Sequence, residues 1–313
     1  MPHTPSDVAI PRQHGRTALV TGASDGMGLR IAARLAAAGA EVIMPVRNRG
    51  KGEAAREVIR RQVQSAQVVL RDLDLSSLES VAVLGEELRA EGRPVHLLIN
   101  NAGVMQPPSR RTTVDGFELQ MGTNHLGHAA LVGTLMPLLG AGGARVTSQI
   151  SIAAARGRVD PEDMRQERPY DPMRAYRASK IALGLFGLEL ERRSRAQGWG
   201  ITSNLSHPGV APTSLLAARP EMGRRGDTLS VRAIRALSAR GVLVGTVESA
   251  GLPALMAATD PAAEPGALYG PSGPWHLGGR PARQPLYRPL RDPEAARRVW
   301  AMTEELTGVP IAA

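Results

Sequence analysis

The stretch TALVTGASDGMG, Thr17 to Gly28, decides the fold. Thr17–Thr21 is a short apolar and β-branched run that reads as a strand. From Met27 to Ala38 the pattern is that of a helix, and Gly39 ends it. Gly22, Gly26 and Gly28 lie between or just inside these elements. Glycines in a strand–turn–helix setting let a backbone approach a pyrophosphate. The helix N-terminus adds free N–H groups and partial positive charge. Gly22, Ser24, Asp25, Gly26, Met27 and Gly28 are therefore candidate phosphate-side residues. A glycine-rich turn without a ligand is the alternative. The spacing is TGxxxGxG, not GxGxxG.

Working outward, short apolar runs alternate with amphipathic stretches. Strands are expected at Glu41–Pro45, Gln67–Leu70, Val95–Ile99, Ala144–Ile150 and Gly200–Leu205. Helices are expected at about Lys51–Gln64, from a Ser76 cap to Ala90, and at Val114–Leu139 and Met173–Ala196. Beyond His207 the pattern loosens, with helices at about 228–240 and 247–258 and a final one at Pro293–Thr307. This alternation implies right-handed crossovers and a parallel sheet covered on both faces.

The second strand runs into Arg47-Asn48. An acid at that point would bond the adenosine ribose hydroxyls of NAD. A guanidinium instead suits a 2′-phosphate, so NADP(H) is favoured over NAD(H). A plain surface arginine is the other reading. Asp74, followed by Leu75, either meets the adenine or caps the next helix.

Tyr176-Arg177-Ala178-Ser179-Lys180 places a phenol and an ammonium on one helix face. A nearby ammonium should lower the phenol pKa toward what acid–base work needs. Only two of the 38 basic residues are lysines, Lys51 and Lys180. Ser151 follows the fifth strand, at the carboxyl edge where ligands bind in open α/β sheets. It reads as a functional serine or a turn serine, and Ser148 is the fallback. Asn124, a poor helix former inside a long helix, reads as a core polar group or a functional kink.

Gly22, Gly26, Gly28, NNAG at Asn100–Gly103, Asn124, Ser151, Tyr176, Lys180 and Pro208-Gly209 with Thr213 occur in order. Together they resemble the short-chain dehydrogenase/reductase family over about residues 15–310. NNAGVM, GTNHLGHAAL, RPYDPMRAYRASK, SHPGV and RRVWAMTEELTGV resemble its retinol-dehydrogenase-like and protochlorophyllide-reductase-like branch. The resemblance implies a Rossmann-type, doubly wound parallel sheet of about seven strands. It also implies one domain over 15–310 with a C-terminal substrate lid near 211–245, while the proline-bearing, polar stretch 1–14 reads by its composition as a leader. By position, Ser151 would hold the substrate carbonyl oxygen and Tyr176 would protonate it. Lys180 would bond the nicotinamide ribose and tune Tyr176. Asn124 would hold a relay water. Asn101, Ala102 and Gly103 would pack on the adenosine side. Pro208, Gly209, Val210 and Thr213 would border the carboxamide or pyrophosphate. Arg47, Asn48, Asp74 and Leu75 complete the cofactor set. The implied substrate is a hydrophobic ketone, aldehyde or secondary alcohol, with a polycyclic metabolite among the options.

The 313 residues are 42% apolar, enough for a real core, and hold no cysteine. Thiolate metal sites and cysteine nucleophiles are excluded, and no metal is expected. No apolar run is long enough to span a bilayer, so a cytoplasmic protein is expected. The net charge is +9, but the arginines are scattered and aromatics make up 3%, so no nucleic-acid surface is expected. A carrier protein with acidic surface is a weaker partner reading. A non-catalytic NADP-binding sensor on the same fold is the rival function. Leu183, Phe186 and Leu190 could serve the core or a homodimer interface. Leu215, Leu216 and Met222 suggest an apolar pocket or ordinary packing.

Overall fold

The computed structural model describes residues 8–160, 163–165, 167, 169–213, 215, 226, 229–241 and 243–312. Leu216, Met222, part of the expected leader and most of 214–228 lie outside the described residues.

The chain lays down β1 (Thr17–Val20), α1 (Gly26–Ala37), β2 (Glu41–Val46), α2 (Arg49–Gln62), β3 (Gln67–Asp72), α3 (Leu78–Glu91) and β4 (Leu97–Asn100). Next come α4 (Leu119–Met121), a π-helical turn at Gly122–Leu126, α5 (Gly127–Ala141), β5 (Arg145–Gln149), α6 (Pro172–Gln197) and β6 (Thr202–Ser206). The remainder is α7 (Leu229–Ala239), α8 (Val247–Ala250), α9 (Leu252–Thr259), β7 (Leu268–Pro271), β8 (Pro281–Gln284) and α10 (Pro293–Thr307). The strands form one sheet in the order β3-β2-β1-β4-β5-β6-β7-β8. Seven strands are parallel, and β8 adds an antiparallel eighth at the edge.

Strand alternation builds two cores. Ala18, Val20, Leu97 and Ile99 face α1, α2 and α9. Leu19, Leu98 and Val146 face α3, α5 and α6. Successive side chains point to opposite faces, so each central strand is buried on both sides. The chain winds outward from β1 to β3 and then crosses to β4, which pairs with β1 in register Ala18↔Leu97. The crevice at the carboxyl ends of β1 and β4 is the binding place this topology creates.

Four sequence expectations shift. Among the described residues the strand count is eight. The helix expected from Val114 begins at Leu119 and loosens into a π turn around Asn124, which is at once a bend and a buried, hydrogen-bonded core polar group. Helix α3 is capped by Ser77, whose side chain accepts from Ser80 N, rather than by Ser76. The helix expected over 247–258 is broken at Gly251 into α8 and α9.

Leu183, Phe186 and Leu190 are wholly buried within the chain. Helix α10 covers this side of α6: Phe186 stacks on Trp300 with centroids 5.0 Å apart, and the Arg193 guanidinium lies 4.6 Å from the Trp300 ring. These residues therefore belong to the core rather than to an exposed interface.

Candidate active site

The turn after β1 is a backbone-lined cradle. Gly22 has φ +66°, and a Cβ there would lie 2.9 Å from the Ala102 Cα. A Cβ on Gly28 would run into the Gly22 carbonyl. The two glycines let α1 start hard against the Asn101-Ala102 turn, with Asp25 capping it by accepting from Gly26 N at 2.6 Å. Thr21 Oγ1 accepts the N–H groups of Asn101 and Ala102 at 2.9 and 3.0 Å. Asn101 Nδ2 donates to the Thr21 carbonyl, and its Oδ1 is buried without a hydrogen-bond partner among the described residues. A cradle that any side chain would fill, beside a free acceptor suited to a ribose hydroxyl, fits a dinucleotide.

At the end of β2, Arg47 is exposed and makes no hydrogen bond or ion pair with a described residue. Asn48 caps α2 through Lys51 N at 2.9 Å. Asp74 does not cap α3: its Oδ1 accepts from the Ser76 amide at 2.9 Å and hydroxyl at 2.6 Å. The Leu75 carbonyl lies where a Cβ on Gly127 would be, so this residue seats the start of α5. Val210 donates to the Leu277 carbonyl and accepts from Gly245 N, both at 2.8 Å. Its backbone is thus committed to the protein. Gly209 has φ +68°, and its N–H donates to His207 Nδ1 at 3.2 Å.

Helix α6 starts at an Asp171 cap with Pro172 in its first turn, and carries Tyr176 and Lys180 one turn apart. Both are buried. The Ser151 side chain lies beside the Tyr176 phenol and acts to lower its pKa. Ser151 leaves β5 and caps the short 3₁₀ turn Ile152–Ala155, its Oγ accepting from Ala153 N at 3.1 Å. Ser148 lies within β5, its Oγ 3.6 Å from where a Cβ on Gly187 would stand, and so faces the middle of α6. The fallback serine is therefore in the core.

Lys180 Nζ donates to the Gln149 carbonyl at 2.8 Å. A Cβ on Gly103 would lie 3.5 Å from Nζ and 3.2 Å from Asn124 Oδ1, so the glycine lets these three residues converge. Asn124 Oδ1 accepts from Val104 N, and its Nδ2 donates to the Val104 carbonyl and to Ser179 Oγ, at 2.8–3.0 Å. Its side chain braces the site through protein partners.

Burial pushes the Tyr176 phenol above its ordinary pKa, opposed by the Ser151 side chain. The expected lowering by the lysine is not what the structure has, because desolvation of the phenolate outweighs the serine that opposes it. Burial also brings Lys180 down to about 8.

Sequence reading passed over His128. It lies one turn after Asn124, fully buried. Its Nδ1–H donates to the Asn124 carbonyl at 3.1 Å, and Nε2 meets Thr21 Oγ1 at 2.9 Å. A carbonyl only accepts, which fixes the tautomer. One ring thus ties the glycine turn to the π turn. The spacing NHLGH, with one histidine inside the bend and one just after it, was the available signal. Also missed was the buried Glu118, which accepts from Tyr170 Oη at 3.1 Å and links 104–121 to the segment before α6.

A model of the short chain dehydrogenase family matches residues 16–223. The chain belongs to the short-chain dehydrogenase family. Within it, this dehydrogenase lies in the retinol-dehydrogenase-like branch. It is 37% identical to human retinol dehydrogenase 13 over 308 residues, covering 97% of this chain and 87% of that one. It is 41% identical to mouse polyprenol dehydrogenase over 211 residues, covering 66% and 63% of the two chains. Among solved structures, an uncharacterized protein from Mycobacterium Paratuberculosis superposes with TM-score 0.77 at 32% identity, over 97% of each chain. A Pseudomonas aeruginosa RhlG/NADP complex superposes with TM-score 0.62 at 25% identity, over 82% of this dehydrogenase and 94% of that chain.

Proposed function

We propose that this dehydrogenase is an NADPH-dependent reductase of hydrophobic aldehydes or ketones, able to run in reverse on the alcohols. The observation that carries this reading is the buried Tyr176 with the half-buried Ser151 beside it and Lys180 one turn away, next to the glycine cradle.

Gly22, Gly26, Gly28, Asn101 and Gly103 would hold the dinucleotide, with Arg47 at its 2′-phosphate and Lys180 at the ribose of the reacting end. When bound, the nicotinamide supplies the hydride. Ser151 Oγ orients the carbonyl oxygen toward Tyr176. The raised phenol pKa keeps Tyr176 protonated at neutral pH, the form that donates in reduction. Its Oη proton goes to the substrate oxygen as the carbonyl carbon is reduced. Lys180, at about 8, is still an ammonium at pH 7, and its charge steadies the phenolate left behind.

Two relatives are named for retinol and polyprenol, apolar alcohols, which supports an apolar substrate body. The free guanidinium of Arg47 supports NADP over NAD. The test is steady-state NADPH oxidation with all-trans-retinal, decanal, an aliphatic ketone and a polycyclic ketone. Saturable turnover of at least one, slower with NADH, is expected. No turnover of any of them sinks the proposal.

A further inference from the structure

Four non-glycine residues among those described have positive φ: Gln106 at +49°, Leu243 at +66°, Trp275 at +50° and His276 at +57°. Each such position is worth about 1–3 kcal/mol of strain and persists where the surroundings enforce it. Three of the four gather at one place: Trp275 and His276 in the loop 272–280, and Leu243 in the segment against which that loop packs. Two of these three, Trp275 and Leu243, are also large apolar side chains left in solvent, 74% and 37% exposed. A single exposed valine on an outer helix needs no explanation. An exposed tryptophan on a strained, tightly fixed loop does.

The loop is fixed by three segments tied together. Gly273 N donates to the Gly278 carbonyl at 2.9 Å and closes its base. Val210 N donates to the Leu277 carbonyl, and Gly245 N donates to the Val210 carbonyl. A Cβ on Gly278 would lie 2.7 Å from the Val244 carbonyl carbon, so the loop sits flush on 243–245.

Topology places this loop at the reacting edge. Strand β7 is parallel to β6 and ends at Pro271, so 272–280 leaves the sheet at the same carboxyl edge as Ser151 beyond β5. With β6 between, the two exits are about two strand spacings, roughly 10 Å, apart. The turn on which the loop packs, Pro208–Val210, leaves the same edge from β6.

We propose that Trp275 and Leu243 form an apolar lip that takes the body of an extended apolar substrate whose carbonyl end reaches Ser151 and Tyr176. This deepens the reductase reading and rests on it. The two residues select substrate and take no part in the chemistry. An indole offers large, rigid apolar area at small entropic loss, which suits a polyene or long alkyl chain.

The test compares wild type, Trp275→Ser and Leu243→Ser on aldehydes sharing one reacting group: propanal, decanal and all-trans-retinal. The ratio of kcat/KM for decanal to that for propanal should fall about 10–100-fold in Trp275→Ser, through KM, and less in Leu243→Ser. Parallel loss on both aldehydes, or an unchanged ratio, overturns the lip. A second readout needs no turnover: all-trans-retinol binding followed by the retinol's own fluorescence anisotropy. Binding at least tenfold weaker in Trp275→Ser supports the lip even if no aldehyde is reduced, which would defeat the reductase reading alone. Absent retinol binding in the wild type, or equal binding in wild type and variant, overturns it. So does a variant that loses sedimentation with phosphatidylcholine vesicles while keeping retinol affinity, since the residues would then face a bilayer.

Discussion

Tyr176 and Lys180 share a helix face, yet burial moves their proton affinities in opposite directions, up for the phenol and down to about 8 for the ammonium. Both shifts favour the neutral form, as desolvation must. Removing the Tyr176 hydroxyl should therefore lower carbonyl reduction by about 10²–10⁴-fold while NADPH binding survives, read from single-substrate kinetics and a cofactor titration. Lys180→Arg should not restore the rate, because Nζ sits between the Gln149 carbonyl and Gly103 where a planar fork does not fit. Ser151→Ala should slow the reaction, whereas Ser148→Ala should leave kcat near wild type. Equal losses from the two serines would reverse the assignment. Arg47 makes its own prediction. Arg47→Asp should turn a preference for NADPH into one for NADH, because a carboxylate repels the 2′-phosphate and accepts from ribose hydroxyls. Equal affinity of the wild type for both cofactors would contradict it. The i, i+4 spacing made Tyr176 and Lys180 legible in sequence, since one helix turn fixes their relation. Asp74 was not legible. Its partner Ser76 is only two residues away, and a local turn of that kind leaves no period in the sequence.

At the scale of elements, the strand–glycine–helix unit was readable because local pattern and local geometry coincide there. The π turn was harder. Its cause is long-range: Asn124 bonds Val104, twenty residues earlier, and Ser179, fifty-five later. His128 holds this bend to Thr21 across the sheet edge. His128→Leu should raise KM for NADPH and lower kcat together, since it frees both the glycine turn and Asn124. His128→Gln, which can still donate and accept, should recover part of both. A leucine variant with wild-type kinetics would show that the bend holds without it. Helix α10 was read as a helix, but its docking site was not. The apolar face of α6 looks alike whether a second copy or the chain's own end covers it. Trp300 stacked on Phe186 gives the answer, and Phe186→Ala should cost about 3–5 kcal/mol in a urea titration. An interface residue would instead change the oligomeric mass and leave the unfolding midpoint of the monomer near its original value.

For the molecule as a whole, three histidines in separate places are held neutral by burial. His128 donates through Nδ1 to a carbonyl and meets Thr21 through Nε2. His125 meets Thr303 Oγ1, whose proton goes to the Val299 carbonyl, so Nε2 of His125 donates and Nδ1 is buried without a partner among the described residues. His207 Nδ1 accepts from Gly209 N, and its Nε2 faces Gln284 Oε1. In His125 a second proton would meet bare apolar surroundings, and in His207 it would meet the Gly209 donor. Burial brings His125 and His128 down to about 3 and His207 to about 4, against 6.5 for the free side chain. Below about pH 6.5 the unfolded chain binds protons that the fold refuses. The unfolded state then carries more protons, so stability falls as pH falls. Each proton contributes about 1.4 kcal/mol per pH unit, so three approach roughly 4 kcal/mol per unit near pH 5. Urea unfolding at pH 7.5, 6.5, 5.5 and 5.0 measures this directly. The expected slope grows from near zero at pH 7.5 toward three protons at pH 5.0. A slope of one proton or less at pH 5.0 would mean that these histidines charge inside the fold. The ties from Thr21 to Asn124, from α10 to the π turn, and from β8 to the turn after β6 would then be looser than this geometry requires.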